Sequence, residues 1–264
     1  MASHSGLSLM SSDWKQVDIL PPLETTEVQL WRIDLADATG LGTTGLNDRF
    51  APLLAPSEQL HANRCRPGRV QDHFSVGRAC LRILLGNASG LDLRSLPIST
   101  GVHGKPELPP IHGDSIAFNV AHSADTILIA LTRSGSVGVD VEYYDRATDI
   151  MEVAHYNFTA SEHRSLAAIT DPHSRIRTFY RYWTRKEAVL KADGRGLIAS
   201  LASFDIPFES VHLHPIRIGG STDDQGKLFF VSDLTLNTEA AGAIAFESPE
   251  SPLRQFIFPL GQPW

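Results

Sequence analysis

A long amphipathic helix followed by a strand hairpin occurs once in each half of this chain, and that recurrence constrains the fold most. In the first half, apolar residues at helical spacing over residues 71–85 predict a helix, and residues 116–121 and 126–132 predict a hairpin. In the second half, a helix is expected from about Ser174 to Ala192, with strands after Pro207. The pattern predicts an α+β fold built from two similar lobes.

The lobes are expected to join near residues 133–136. We predict a flexible, Ser-rich N-terminal segment over residues 1–25, without the basic patch and long apolar stretch of a signal peptide. The N-terminal lobe then spans residues 26–133. The C-terminal lobe spans residues 134–264 and includes a tail after Phe246.

The composition excludes several classes of protein. The 264 residues include 23 Lys and Arg against 30 Asp and Glu, a net charge of −7, whereas nucleic-acid-binding proteins normally carry a basic surplus. No apolar run approaches the roughly 18 residues that a membrane helix needs. The two cysteines, Cys65 and Cys80, do not form a disulfide framework. We therefore expect a cytoplasmic protein with neither nucleic acid nor membrane as partner.

The segment GVDVE, residues 138–142, carries two carboxylates in a predicted strand. Because side chains two positions apart face the same side, Asp140 and Glu142 project together while Val139 and Val141 face the other way. One interpretation is an edge strand with a solvated polar face. The other is a magnesium site, since Mg²⁺ prefers a few carboxylates, retained waters and a ligand phosphate.

The helix in the second half carries charges along its own packing stripe. Phe179, Trp183, Glu187 and Lys191 follow each other at four-residue spacing and therefore share one face. An exposed Glu–Lys pair fits poorly beside two large aromatic residues, so we expect both charges to face a cleft. Together with the two strand carboxylates, Glu187 completes a three-acid metal site with lysines beside it, which favours phosphoryl-type transfer.

Five segments in this order resemble the larger, two-lobed class of 4'-phosphopantetheinyl transferases, the surfactin-synthetase-priming type. The segments are GKP (Gly104–Pro106), FNVAHS (Phe118–Ser123), GVDVE (Gly138–Glu142), FTASE (Phe158–Glu162), and WTRKEAVLK with a trailing GRGL (Trp183–Leu197). The resemblance covers residues 53–206. It implies two lobes related by pseudo-twofold symmetry, each a long helix packed on a small, mainly antiparallel sheet, with coenzyme A in the cleft between them.

The resemblance also implies a reaction and its partners. A serine hydroxyl of an apo acyl or peptidyl carrier protein attacks the β-phosphate of coenzyme A. The phosphopantetheine arm stays on the serine, and adenosine 3',5'-bisphosphate leaves. Such carriers serve polyketide, nonribosomal-peptide and fatty-acid biosynthesis, and the two lobes of one chain suffice for the cleft, so a monomer is expected.

Residue by residue, the resemblance assigns the metal and the chemistry to the second half. Asp140, Glu142 and Glu187 match magnesium ligands, with manganese as an alternative ion. Glu187 also matches the general base that takes the serine proton. Lys191 matches the lysine on the pyrophosphate, and Lys186 is a secondary contact beside it.

Coenzyme contacts in the first half match Arg69, Lys105 and His122, the last near the 3'-phosphate. Arg78 is assigned either to this group or to a structural role. One position departs from the family pattern: Ala121 stands where a serine usually precedes the histidine. The missing hydroxyl is expected to weaken coenzyme binding by about 0.5–1.5 kcal/mol.

Two alternative functions remain open from the residues. The first is a non-catalytic regulator that binds coenzyme A with the same fold. The second is a magnesium-dependent phosphohydrolase with a similar acid cluster. For docking of a carrier protein, which is usually acidic around its serine, the region from Asp145 to Phe158 is the candidate because it follows the metal strand.

Overall fold

The computed structural model describes residues 14–36, 45–101, 105–111, 113–194, 200–209, 212–219 and 226–264. The helices in these ranges are α1 (Leu46–Phe50), α2 (Pro56–Ala62), α3 (Arg69–Ser89), α4 (Ile150–Asn157), α5 (Ala160–Ala167) and α6 (Pro172–Asp193). The strands are β1 (Lys15–Gln16), β2 (Val28–Asp34), β3 (Ser99–Thr100), β4 (Pro106–Glu107), β5 (Ala117–Ser123), β6 (Thr126–Thr132), β7 (Val137–Tyr143), β8 (His214–Ile218), β9 (Lys227–Asp233), β10 (Ala240–Phe246) and β11 (Leu253–Ile257).

The longer strands form two sheets. The first has the order β1-β11-β2-β6-β5, and the second has the order β7-β10-β9-β8. All neighbours pair antiparallel except β1 with β11 and β11 with β2, which are parallel. A further pair, β3 with β4, stands apart from both sheets. The predicted α+β class is confirmed.

Three apolar clusters separate these layers. One cluster lies between α3 and the first sheet and includes Trp31, Leu84 and Ile129. Another lies between α6 and the second sheet, where β10 presents a row of alanines. The third cluster, with Leu128 and Ile244, fills the space between the two sheets. The long helices therefore cover the outer faces, and the sheets face each other.

Both predicted long helices are present, and α3 extends beyond its predicted range of residues 71–85 at both ends. α3 continues through Gly86 and ends at Gly90, whose φ of 73° is the left-handed conformation that glycine adopts without a steric penalty. The short helix α2 begins at Pro56, and its N-cap residue is Ala55. The Glu58 side chain accepts a hydrogen bond from the backbone N–H of Ala55 at 2.9 Å.

Both ends of the described chain add strands that sequence patterns did not identify. Within the predicted N-terminal segment, β1 pairs with β11, and the Trp14 indole donates a hydrogen bond to the Thr235 carbonyl at 2.7 Å. β11 itself lies between β1 and β2. The last strand of the predicted C-terminal lobe thus belongs to the first sheet. None of the helices in the described ranges is both long and apolar enough to cross a bilayer.

Candidate active site

Strand β7 has an apolar face and an acidic face, as its alternation predicted. Val139 and Val141 are buried in the cluster between the two sheets. Asp140 and Glu142 lie on the opposite face, which packs against α6. Asp140 is 4% exposed, so the solvated-edge interpretation is wrong for this carboxylate.

Gly138 sets the distance between β7 and α6. A Cβ atom at this position would lie 2.1 Å from the Ala188 carbonyl oxygen and 2.3 Å from the Ala192 nitrogen. Only a residue without a side chain allows the helix backbone to approach the strand so closely. Gly138 therefore allows the charged turn of α6, which carries Glu187 and Lys191, to pack against the acidic face of β7.

Lys191 and Asp140 form the central ion pair of the site. The Lys191 ammonium donates to Asp140 Oδ1 at 2.6 Å and to the Val139 carbonyl oxygen at 3.3 Å. Asp140 Oδ2 is buried and has no hydrogen-bond partner among the described residues. Burial raises the pKa of Asp140 to about 7, the Lys191 charge opposes that rise, and Glu142 and Glu187 add to it.

Glu142 is held by a neighbour on the first sheet. The Ser123 hydroxyl donates to Glu142 Oε2 at 3.1 Å and accepts from the Tyr143 backbone N–H at 3.0 Å. Burial raises the pKa of Glu142, while the Ser123 hydrogen bond and the Lys191 charge oppose the rise. The acidic face thus lies at the junction of the two sheets.

Glu187 lies where the α6 stripe changes from apolar to charged. The rings of Phe179 and Trp183, which precede Glu187 on the stripe, stack with their centroids 6.0 Å apart. Glu187 and Lys191 come next on the same stripe, and both are half-buried. The Glu187 charge raises the pKa values of both strand carboxylates, so all three acids share one electrostatic environment. Within the part of the chain that the structure describes, no group of three or more His, Cys, Asp or Glu side chains is arranged so that it could hold a metal ion as it stands.

Lys105 reaches the same region from the loop before β4. Its ammonium donates to the Lys191 carbonyl oxygen at 3.4 Å. Burial lowers the pKa of Lys105, the Lys191 charge lowers it further, and Glu187 opposes both. Of the GKP segment, Lys105 and Pro106 are described, whereas Gly104 lies outside the described residues, as does the RGL of GRGL.

A cavity of about 560 Å³ lies beside this charged group. Its walls come from α2, α3, β5, β6 and Pro106, and they are mostly apolar. Arg69, Arg78 and His122 line it, whereas Lys105, the remaining predicted coenzyme contact of the first half, lies beside Lys191 instead. The acids do not line the cavity. The connection runs along β5, where His122 faces the cavity and the next residue, Ser123, contacts Glu142.

Alternation along β5 explains the motif FNVAHS. Val120 and His122 face the cavity, whereas Asn119 and Ser123 face β7. Asn119 Oδ1 accepts from the Val139 backbone N–H at 3.0 Å, so side chains replace the missing strand partner along this edge of β7. Ala121 lies between them, 3% exposed, in the cluster between the sheets.

The packing of Ala121 gives no support to the expected cost for coenzyme binding. A hydroxyl at this position would point between the two sheets, because Cβ of residue 121 projects away from the cavity that its neighbours line. The cavity loses no polar contact through this substitution.

Arg69 and Arg78, the two arginines of α3 that line the cavity, differ in their partners. Arg69 is exposed at the cavity mouth, and its Nη2 lies 2.9 Å from Asp125 Oδ1. Arg78 lines the cavity but its Nε lies 3.4 Å from Glu58 Oε1, and Arg82 pairs with the other oxygen of Glu58. These contacts agree with the structural role considered for Arg78.

Lys186 does not lie beside the coenzyme site, and its assignment as a contact is corrected. Its side chain is fully buried on the other side of α6, 2.9 Å from Glu162 Oε1. The ammonium also donates to the carbonyl oxygens of Leu201 at 2.7 Å and Phe204 at 2.5 Å. One step along the helix turns a side chain by about 100°, so Lys186 points away from the face that carries Glu187.

Sequence patterns missed three residues of the site: His73, Ser123 and Gly138. His73 lines the cavity one helical turn after Arg69. The same four-residue spacing that identified Glu187 and Lys191 would have found it. Ser123 and Gly138 lie within the recognised motifs, but their roles depend on contacts between β5, β7 and α6 that no local pattern reveals.

Comparisons with known proteins agree with this arrangement. The family model for the 4'-phosphopantetheinyl transferase superfamily matches residues 136–242, which include both strand carboxylates and the charged turn of α6. The chain is 34% identical over 185 residues to 4'-phosphopantetheinyl transferase HetI of Nostoc sp., covering 70% of this chain and 75% of HetI. It is 29% identical over 171 residues to 4'-phosphopantetheinyl transferase Sfp of Bacillus subtilis, covering 64% of this chain and 70% of Sfp.

A third relative carries the same enzyme description. The chain is 34% identical over 144 residues to 4'-phosphopantetheinyl transferase AcpT of Escherichia coli, covering 54% of this chain and 68% of AcpT. The resemblance stated from five short segments is confirmed by these longer matches. This chain belongs to the 4'-phosphopantetheinyl transferase superfamily, as an enzyme of the larger class that Sfp represents.

Proposed function

We propose that this enzyme transfers the 4'-phosphopantetheine group of coenzyme A to a serine of an apo acyl or peptidyl carrier protein. The serine oxygen forms a bond to the β-phosphorus, and the phosphoanhydride bond breaks. Adenosine 3',5'-bisphosphate leaves with the bridging oxygen, and the serine proton passes to a base. The reaction needs Mg²⁺, or Mn²⁺ in its place.

One observation carries this proposal: a cluster of acids and lysines adjoins a large cavity with cationic side chains. Asp140, Glu142 and Glu187 share one environment with Lys191 and Lys105. Coenzyme A has a long, partly apolar body with a pyrophosphate and a phosphate monoester. A site for it needs an apolar cavity, positive groups for the phosphates and acids for a metal, and all three are adjacent here.

The residues present fit a magnesium ion. The donors of Asp140, Glu142 and Glu187 are all carboxylate oxygens, the ligand type that Mg²⁺ prefers. Asp140 Oδ2 is a buried acceptor with no hydrogen-bond partner among the described side chains and backbone, which a cation would satisfy. Bound there, Mg²⁺ would stabilise negative charge on the pyrophosphate oxygens.

Two side chains of α6 carry the chemistry in this proposal. Glu187 is half-buried beside the strand carboxylates, and its carboxylate accepts the proton of the attacking serine hydroxyl. Lys191 offsets the charge on the leaving phosphate with its ammonium group. Arg69, Lys105 and His122 bind the coenzyme, His122 near the 3'-phosphate.

The architecture and cellular setting complete the proposal. Each long helix lies on one sheet, and we infer that the two halves are lobes related by pseudo-twofold symmetry, joined near residues 133–136. The enzyme acts as a monomer in the cytoplasm, where coenzyme A and carrier proteins meet. Its docking surface for carriers lies in the region from Asp145 to Phe158, beside the end of β7.

Mass spectrometry of a carrier protein tests the proposal. The enzyme, coenzyme A, Mg²⁺ and an apo carrier are incubated, and the carrier is expected to gain the mass of one phosphopantetheine group. Several carriers are tested in parallel. A carrier of unchanged mass while the enzyme binds coenzyme A would favour a non-catalytic regulator. Phosphate release without carrier modification would favour a phosphohydrolase.

Replacing the base tests the proposed chemistry. Glu187→Gln is expected to lower the transfer rate at least about 100-fold, while coenzyme A still binds. Glu250→Gln is the matched control, since it removes the same charge from an exposed position outside the site. Full activity of Glu187→Gln would remove Glu187 from the mechanism.

A further inference from the structure

Three nitrogen-bearing side chains and one carboxylate meet at one end of the cavity. Arg69 and His73 lie one turn apart on α3, and His122 faces them from β5. The imidazole rings of His73 and His122 are 6.1 Å apart in an edge-on arrangement. Asp125, in the turn after β5, places Oδ1 at 2.9 Å from Arg69 Nη2 and 3.7 Å from His73 Nε2. One carboxylate oxygen therefore faces two groups that could bind an anion.

His73 is the unsatisfied member of this group. Its side chain is only 15% exposed, and 3.7 Å is too long for a hydrogen bond to Asp125. Nε2 consequently has no hydrogen-bond partner among the described residues. Burial lowers the pKa of His73, and so do the charges of His122 and Arg69, with Asp125 opposing. An additional acceptor at this place would satisfy a buried nitrogen that the protein leaves without one.

The Asp125 carboxylate is held loosely enough to be replaced. Its side chain is 47% exposed and that of Arg69 is 60% exposed. Ion pairs this exposed contribute little to stability, because water competes for both charges. The Asp125 backbone carbonyl accepts a hydrogen bond from Leu35, so the turn keeps its own anchor if the carboxylate moves away.

We propose that Asp125 is an internal competitor for a phosphate group of coenzyme A, and that Arg69, His73 and His122 together bind that phosphate when it displaces the carboxylate. This inference rests on the proposed function. The phosphate is the 3'-monoester, because Lys191 and the acids of β7 and α6 already account for the pyrophosphate. A monoester carries close to two negative charges at neutral pH, so it outcompetes a single carboxylate.

Calorimetric binding of coenzyme A and of 3'-dephospho-coenzyme A, both with Mg²⁺ and without carrier, tests the competition. Asp125→Asn is expected to lower the Kd of coenzyme A by about two- to fivefold, the range of an exposed ion pair, and to leave the Kd of the dephospho form unchanged. The matched control is Asp114→Asn, which removes an exposed carboxylate paired with Arg133 away from the cavity. It is expected to change neither Kd.

The role of His73 is tested by His73→Phe, which keeps a ring in the cavity wall but removes both nitrogens. It is expected to raise the Kd of coenzyme A and not that of the dephospho form. The inference is overturned if Asp125→Asn weakens coenzyme A binding, leaves it unchanged, or tightens both ligands equally. An unchanged coenzyme A Kd in His73→Phe would remove His73 from the site.

The carrier assay separates failure of this inference from failure of the proposed function. If the unmodified enzyme transfers phosphopantetheine normally but Asp125→Asn binds coenzyme A as the unmodified enzyme does, the inference fails and the function stands. An unmodified enzyme that does not bind coenzyme A at all would refute both.

Discussion

Lys186 and Glu162 form a buried ion pair whose disruption separates a structural role from a coenzyme-binding role. Methionine in the variant Lys186→Met still fills the space of the aliphatic part of the lysine, but Glu162 loses the ammonium group that lies 2.9 Å from its Oε1. The carbonyl groups of Leu201 and Phe204 lose a donor as well. Removing one member of a buried pair typically costs about 3–5 kcal/mol.

The lower half of that range applies here, because Glu162 keeps two other donors. Its Oε1 accepts from the Ile206 N–H at 2.7 Å, and its Oε2 accepts from the Thr159 N–H at 2.9 Å. We therefore expect Lys186→Met to lower the free energy of unfolding by about 3–4 kcal/mol. The KM of the folded enzyme for coenzyme A should not change, since Lys186 lies on the far side of α6.

Urea unfolding monitored by tryptophan fluorescence measures the stability, and transfer kinetics below the unfolding transition measure KM. The double variant Lys186→Met with Glu162→Gln should lose less stability than the sum of the two single variants, because no uncompensated charge remains buried. A raised KM for coenzyme A with unchanged stability would refute the structural role and restore Lys186 to the coenzyme site.

Two further predictions concern the close packing around β7. Gly138→Ala should lower stability by about 1–3 kcal/mol and the transfer rate by at least about tenfold, because its Cβ would displace the α6 backbone that carries Glu187. Urea unfolding and carrier-modification rates test this, with Gly45→Ala, which has open space around its Cβ, as control. Ala121→Ser should leave the KM for coenzyme A unchanged, because residue 121 faces the cluster between the sheets. A lower KM in that variant would show that the hydroxyl reaches the coenzyme.

The local elements of the site could be predicted because their signals are periodic. Alternation predicted strand β7, with its carboxylates on one face and its valines on the other, and the structure confirms this arrangement. Four-residue spacing predicted the α6 stripe, and the spacing of Thr159 and Glu162 is that of the capping box found at the start of α5. Each of these signals lies within a single helix or strand, where backbone geometry alone relates the side chains.

By itself, the sequence determined the α+β class, the two long helices, the acidic strand and the family. Only the tertiary structure decided which neighbours these elements meet. Lys186 and Glu187 are adjacent in sequence, yet one is buried against Glu162 and the other faces the acids, because the packing of α6 on β7 selects one helix face. In the same way, β11 joins the first sheet and Asp125 meets Arg69 across 56 positions of chain. Such contacts depend on how the helices and sheets pack against each other. Side-chain periodicity shows which face of an element is buried, but it does not show which other element covers that face.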